Sequence, residues 1–262
     1  MSNSLATVSA ITDPGWTLLQ WFGDATGNSS PLPVRVTRNK YVEAVFGTTL
    51  STPPIVSASP QSDLYPYGTT VKLTAIPPPG TYFQNWTGDA TGASNPISLV
   101  ITTANPSVSC QFGALGSGEY SLTVVENGRG HVQVSPSANR YTSQFVTLTA
   151  LPDPGQDFVG WSGDANGTQS ALLLQMNQSK TISVTFTTRP TLRVGTPVEG
   201  LSEDGFRLTI QGEFGTPYSV SSSTNLRDWN LVGTITNVFG TVQLTDPTAT
   251  NQSATFYRAS TP

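Results

Sequence analysis

Short alternating runs of apolar and polar residues dominate the chain. "VKLTA" (71–75) and "VTLTA" (146–150) alternate strictly, the mark of a half-buried strand. "PPPG" and "PDPG" follow and end those strands, because proline has no ladder N–H. "YFQNW" and "DFVGW" open the next strands, and "SLVI" and "LLLQM" supply another in each region. A last strand alternates in three places: Val42, Ala44, Phe46; Val108, Cys110, Phe112; and Ile182, Val184, Phe186. The pattern predicts a mainly β protein.

Aligning these strands exposes an internal repeat. "QWFGDATG" (20–27), "NWTGDATG" (85–92) and "GWSGDANG" (160–167) share a Trp followed by a Gly-Asp pair. The signature residues are Trp21, Gly23 and Asp24; Trp86, Gly88 and Asp89; and Trp161, Gly163 and Asp164. A turn glycine (Gly15, Gly80, Gly155) lies six residues before each Trp, and the closing Phe follows it by 25, 26 and 25 residues. A catalytic site is seldom needed in triplicate, whereas a turn that every module makes is needed in every copy. The Trp is expected to supply buried area to a small module. The Gly permits φ > 0, and the Asp is expected to accept from backbone N–H groups just after it. Calcium at Asp24, Asp89 and Asp164 is the competing reading. Each loop brings one carboxylate, against the six to eight oxygens that calcium takes.

From about Thr191 the pattern changes to six or more short alternating segments in some 70 residues, which predicts a small antiparallel β-sandwich. The expected modules are 1–47, 48–115, 116–189 and 190–262, held end to end by short linkers. The first is truncated. Its "ATVSA" strand has only five residues before it, whereas its siblings have a hairpin at 48–70 and 120–145. An exposed edge invites another strand. A homo-oligomer or fibre built by β-strand addition is therefore expected as an alternative to a smaller or excised first module.

The repeats resemble divergent internalin-type B-repeat modules. The matching residues are "VSP", then "VTLTA.P.PG..F.GWSGDA.G", then "ISVTF"; the match is most complete at 132–186, nearly as good at 56–112 and truncated at 6–46. The resemblance implies tandem β-grasp-like modules, an extracellular or cell-surface position in bacteria, and a role as stalk or adhesion module without shared catalytic residues. The C-terminal stretch resembles a terminal module of large secreted bacterial proteins, through Tyr218, Val220, Ser223, Leu226 and Trp229, then Phe256, Tyr257 and Arg258. Surface attachment or export is what that likeness implies.

Composition narrows the functional classes. Net charge is −4, with three lysines (Lys40, Lys72, Lys180) and no basic run, so nucleic acid is a poor partner. No apolar run approaches the roughly 20 residues of a membrane span. The first residues carry neither a basic region nor a long apolar core, so they are not read as a signal peptide. Cys110 occupies the slot of Ala44 and Val184 and reads as a small core residue. His131 falls on the polar phase of its strand and reads as solvated. With one His and one Cys, no zinc site, Cys–His pair or "G-x-S-x-G" triad is expected. "GSGEY" (116–120) reads as a linker, and the carboxylates Glu119, Glu126, Glu203 and Asp204 as turn or linker residues. Lys72 and Lys180 sit on polar phases, which argues against isopeptide cross-links. The expectation is a non-catalytic structural or adhesive protein with no cofactor and no metal. The alternative is a carbohydrate-binding region of a polysaccharide-degrading enzyme, with Tyr65, Tyr67, Tyr82 and Trp229 as stacking aromatics.

Overall fold

The computed structural model describes residues 4–194, 201–202, 205–249 and 255–261. No α-helix occurs among them. Glu203 and Asp204 lie outside the described residues.

The third repeat shows the module at its fullest. It contains β11 (Leu122–Asn127), β12 (Gly130–Ser135), β13 (Phe145–Pro152), β14 (Phe158–Gly163), β15 (Ala171–Gln175) and β16 (Lys180–Phe186). β16 is flanked by β14, antiparallel, and by β11, parallel, with Val124 opposite Ile182. This parallel pairing of first and last strands is the β-grasp-like element of the module. A second, antiparallel sheet runs β12–β13–β15. The two inner faces enclose Trp161 with Val146, Leu148, Ile182 and Val184. The alternation read from sequence is the reason: every second residue of β13 and β16 points into this core.

The second repeat has β5 (Val56–Ser59), β6 (Tyr65–Pro66), β7 (Thr70–Ala75), β8 (Thr81–Gly88), β9 (Ile97–Val100) and β10 (Val108–Ala114). β5–β7–β9 form one sheet and β8–β10 the other. The parallel first strand is reduced to one bridge, Ser51 to Ser107. Pro53 and Pro54 follow it and bring no N–H to continue the ladder. Cys110 packs at the edge of this core, and burial pushes its thiol pKa up, in keeping with a structural role.

The first repeat comprises β1 (Ser4–Val8), β2 (Thr17–Gly23), β3 (Leu32–Val36) and β4 (Val42–Thr48). Its core centres on Trp21, Ala25 and Val34. β1 pairs with β3 alone among the described residues, whereas its counterparts β7 and β13 are paired on both edges. Leu5 on β1 is 69% exposed.

The C-terminal module contains β17 (Thr191–Val194), β18 (Leu201–Ser202), β19 (Gly205–Gln211), β20 (Thr216–Ser223), β21 (Asn230–Asn237), β22 (Thr241–Asp246) and β23 (Phe256–Ser260). One sheet groups β17, β18 and β22 around β19, and the other runs β21–β20–β23. All pairings are antiparallel, and Leu208, Ile210, Tyr218 and Val220 fill the space between, as a sandwich requires.

The modules are not strung end to end. The C-terminal module returns to the first repeat, where Gln243 Oε1 accepts the Gly23 N–H at 3.0 Å. The Tyr65 ring of the second repeat lies 6.4 Å from the Phe214 ring of the C-terminal module. Thr48 of the first repeat meets Asn105 of the second at 3.2 Å. The Gln243 contact comes from the outer face of β22, which a single-module reading sends to solvent.

Candidate functional site

The Trp-Gly-Asp signature forms the same clasp three times. The Trp side chains are buried, and each indole N–H donates at 2.8 Å to a carbonyl eight residues on: Ser29, Ser94 and Gln169. Each Trp backbone N–H donates to Gly27, Gly92 or Gly167, closing the loop. The Asp does not cap its own turn. Asp89 Oδ2 accepts from the Ser107 N–H at 2.7 Å, Asp164 Oδ2 from Thr181 at 2.6 Å and Asp24 Oδ2 from Tyr41 at 2.8 Å. Its own N–H donates back to the same residue's carbonyl. Both bonds reach 17 or 18 residues ahead, to the segment entering the last strand.

The glycine before each Asp is required twice over. Its φ is +88° at Gly23 and Gly88 and +96° at Gly163. A Cβ there would lie 2.3–2.5 Å from the carbonyl oxygen that the Asp N–H engages.

In the first repeat the clasp carries an added charge cluster. The Asp24 side chain is 2% exposed and lies 2.8 Å from Arg38, 3.7 Å from Lys40 and 3.5 Å from Arg207 of the C-terminal module. Burial alone would raise its carboxyl pKa. The Tyr41 N–H and the charges of Arg38, Lys40 and Arg207 outweigh that and hold it below the ordinary value.

Lys72 and Glu126 behave differently from their sequence reading. Glu126 lies within β11, not in a turn, and its side chain is 4% exposed. Lys72 crosses from the second repeat to meet Glu126 Oε2 at 2.8 Å and the Gly130 carbonyl at 2.6 Å. Glu126 Oε1 accepts the Val132 N–H at 2.6 Å. Glu119 lies in the linker turn, where it accepts from Gly116 N–H and pairs with Arg140.

The four candidate aromatics divide. Tyr65 is buried, so it has no free face for stacking; its hydroxyl accepts from Ser62 N–H and donates to Pro60 O, both at 3.1 Å. Tyr141 repeats this arrangement with Ala138 and Pro136. The Tyr82 ring is covered by the Arg140 guanidinium at 4.8 Å, and Trp229 by that of Arg258 at 4.3 Å. Tyr67 is 64% exposed, with Trp16 on one side at 5.7 Å. The terminal "FYR" is likewise tied down, since the Tyr257 hydroxyl donates to Asp246 at 3.0 Å.

Where the four modules converge they leave a cleft of about 890 Å³, which Tyr67 and His131 both line. His131 stands exposed on β12, as its phase predicts.

No curated protein matches the chain. The family model of the divergent InlB B-repeat domain, a family typical of bacterial surface proteins, matches three times, at residues 2–50, 48–115 and 120–190. These matches coincide with the three clasps, and with most of its length so covered this chain belongs to the divergent InlB B-repeat family.

Proposed function

We propose that the chain is a non-catalytic structural or adhesive region on the bacterial surface, in which the repeats act as scaffold. One observation carries this reading. In all three repeats the signature groups are spent on the fold, with the indole N–H and the Asp carboxylate both held by backbone. A surface position is tested by brief protease treatment of intact cells of the producing bacterium. Loss of the chain while a cytosolic marker survives is expected; retention until lysis would overturn it. The exposed edge of β1 extends the reading to assembly, by a strand from a second copy added beside Ser4–Val8. Light scattering over a hundredfold concentration range would then show growth, and a constant monomer mass refutes that extension.

A second reading, glycan binding, is favoured by Tyr67. Alone among the four candidate aromatics, it is open to solvent and lines the inter-module cleft.

A further inference from the structure

The cleft has a construction that random gaps between modules lack. Its roof is the outer face of β19 and β22. Leu208, Ile210 and Val242 point into the sandwich core, so the alternate residues face the cleft. Register places Thr209 opposite Gln243 and Gln211 opposite Thr241, two cross-strand pairs of one hydroxyl and one amide. Its floor is the outer face of β2 and β4, where Phe22 lies opposite Glu43. Tyr67 and Phe214 add aromatic surface at the side. The Gly23–Gln243 hydrogen bond and the Asp24–Arg207 pair tie floor to roof at one end.

The geometry points to this cleft as the binding site for a segment of neutral oligosaccharide. Three properties lead there. About 890 Å³ lies inside the range of roughly 300–1,000 Å³ for ligand sites, which favour domain interfaces. Thr209, Thr241 and Gln211 offer donor and acceptor together, and Gln243, whose Oε1 holds the Gly23 N–H, adds its NH2 donor; this is the complement of vicinal sugar hydroxyls. Aromatic rings offer apolar faces to the C–H face of a pyranose. Charge selects against a polyanion or polycation. The lining has three basic side chains (Lys72, Arg129, Arg207) and three carboxylates (Glu43, Asp153, Glu213), and Lys72 and Arg207 are already paired.

This inference rests on the second reading above and names its site. The test uses the full chain in calorimetric titrations with maltohexaose, cellohexaose, chitohexaose and, as a charged control, oligogalacturonate. The variants are Gln211→Ala/Thr241→Ala and Tyr67→Ala in the cleft, and Trp229→Ala outside it. The expected result is binding of at least one neutral hexamer, weakened tenfold or more by either cleft variant and unchanged in Trp229→Ala. Silence of all three neutral hexamers at millimolar concentration would overturn both the site and the glycan reading. Binding that survives both cleft variants would overturn the site and leave glycan binding standing elsewhere. A preference for oligogalacturonate would overturn the neutral assignment. Circular dichroism on each variant separates lost binding from lost fold; should either cleft variant unfold, Thr209→Ala takes its place with the same outcomes.

Discussion

Substituting alanine for Gly163 tests whether the clasp holds the last strand. The added Cβ would sit 2.5 Å from the Thr181 carbonyl oxygen, and the backbone φ of +96° disfavours any L side chain. Gly155 is the control, since its φ of +80° carries the same conformational penalty but nothing lies within 4 Å of a Cβ there. The shared penalty is about 1–2 kcal/mol. At Gly163 the clash must also separate Asp164 from Thr181. That puts at risk the Asp164 N–H to Thr181 O bond and the Thr181 N–H to carboxylate bond. Such bonds contribute about 1 and about 1.5–3 kcal/mol respectively. Gly163→Ala should therefore cost about 3.5–6 kcal/mol and Gly155→Ala about 1–2 kcal/mol. Tandem modules do not unfold in one step, so a single melting temperature is the wrong readout. Native-state amide exchange over β13 to β16 resolves the module itself. Protection there should fall by about two and a half to four decades in Gly163→Ala. Equal losses in the two variants would refute the clasp as a stabilising device.

Trp161→Ala should cost about 3–5 kcal/mol, the range for removing a buried aromatic, read by exchange in the same strands. Lys72→Met should cost about 3 kcal/mol, because it leaves the Glu126 carboxylate buried without its cation. Adding Glu126→Gln should recover most of that loss, since Gln keeps an acceptor for Val132 N–H; chemical denaturation of both variants, with no recovery in the double, would refute the pairing. The depressed Asp24 carboxyl stabilises the folded protein fully above its ordinary pKa of 3.8, and the contribution disappears as pH falls through the lower folded value. A ¹³C NMR titration should place the Asp24 midpoint below 3.8, and a midpoint at or above it would refute the charge cluster.

The β-rich architecture, the three repeats and the change of module near Thr191 were legible because each rests on periodicity within one strand or one module. The buried Trp was legible on another ground, that a small module repeated three times needs one large buried side chain in each copy. The Asp partner was not legible, since it lies 17 or 18 residues ahead across a loop of variable length. Tyr65 sits in "LYPYG", which resembles an exposed turn. A signal did exist: "SPQSDLY" and "SPSANRY" place Tyr65 and Tyr141 at the same offset from a Ser-Pro pair, and both hydroxyls bond identically. Lys72 lies on a polar phase, and polar phase predicts solvent only when no other module covers the face; Glu126 reads as a turn or linker residue from sequence, yet it stands on β11 in the phase of Leu122 and Val124, which pack on the core. The cleft follows from the same gap, because it is built from outer faces of strands far apart in sequence.

That difference between inner and outer faces separates what is repeated from what is not. The core positions are near copies: Val71 and Leu73 of β7 match Val146 and Leu148 of β13, all with negligible exposure. On the outer faces, equivalent pairs by register are Thr7 with Pro33, Lys72 with Ser98, and Thr147 with Leu173. Only the second of these engages a neighbouring module through a salt bridge, by Lys72 to Glu126. The third leaves Phe145 and Leu173 60% and 64% exposed on one sheet face. The clasp therefore sets the fold of each repeat locally, while single outer-face residues set what each repeat touches. Position 173 can change without touching the hydrogen bonds of the clasp, whereas a change at 72 strands the buried Glu126 of the next repeat and calls for a second change there. The first repeat follows the same logic: its Asp24 keeps the bond to the Tyr41 N–H that every copy has and adds Arg207 from a module of another kind.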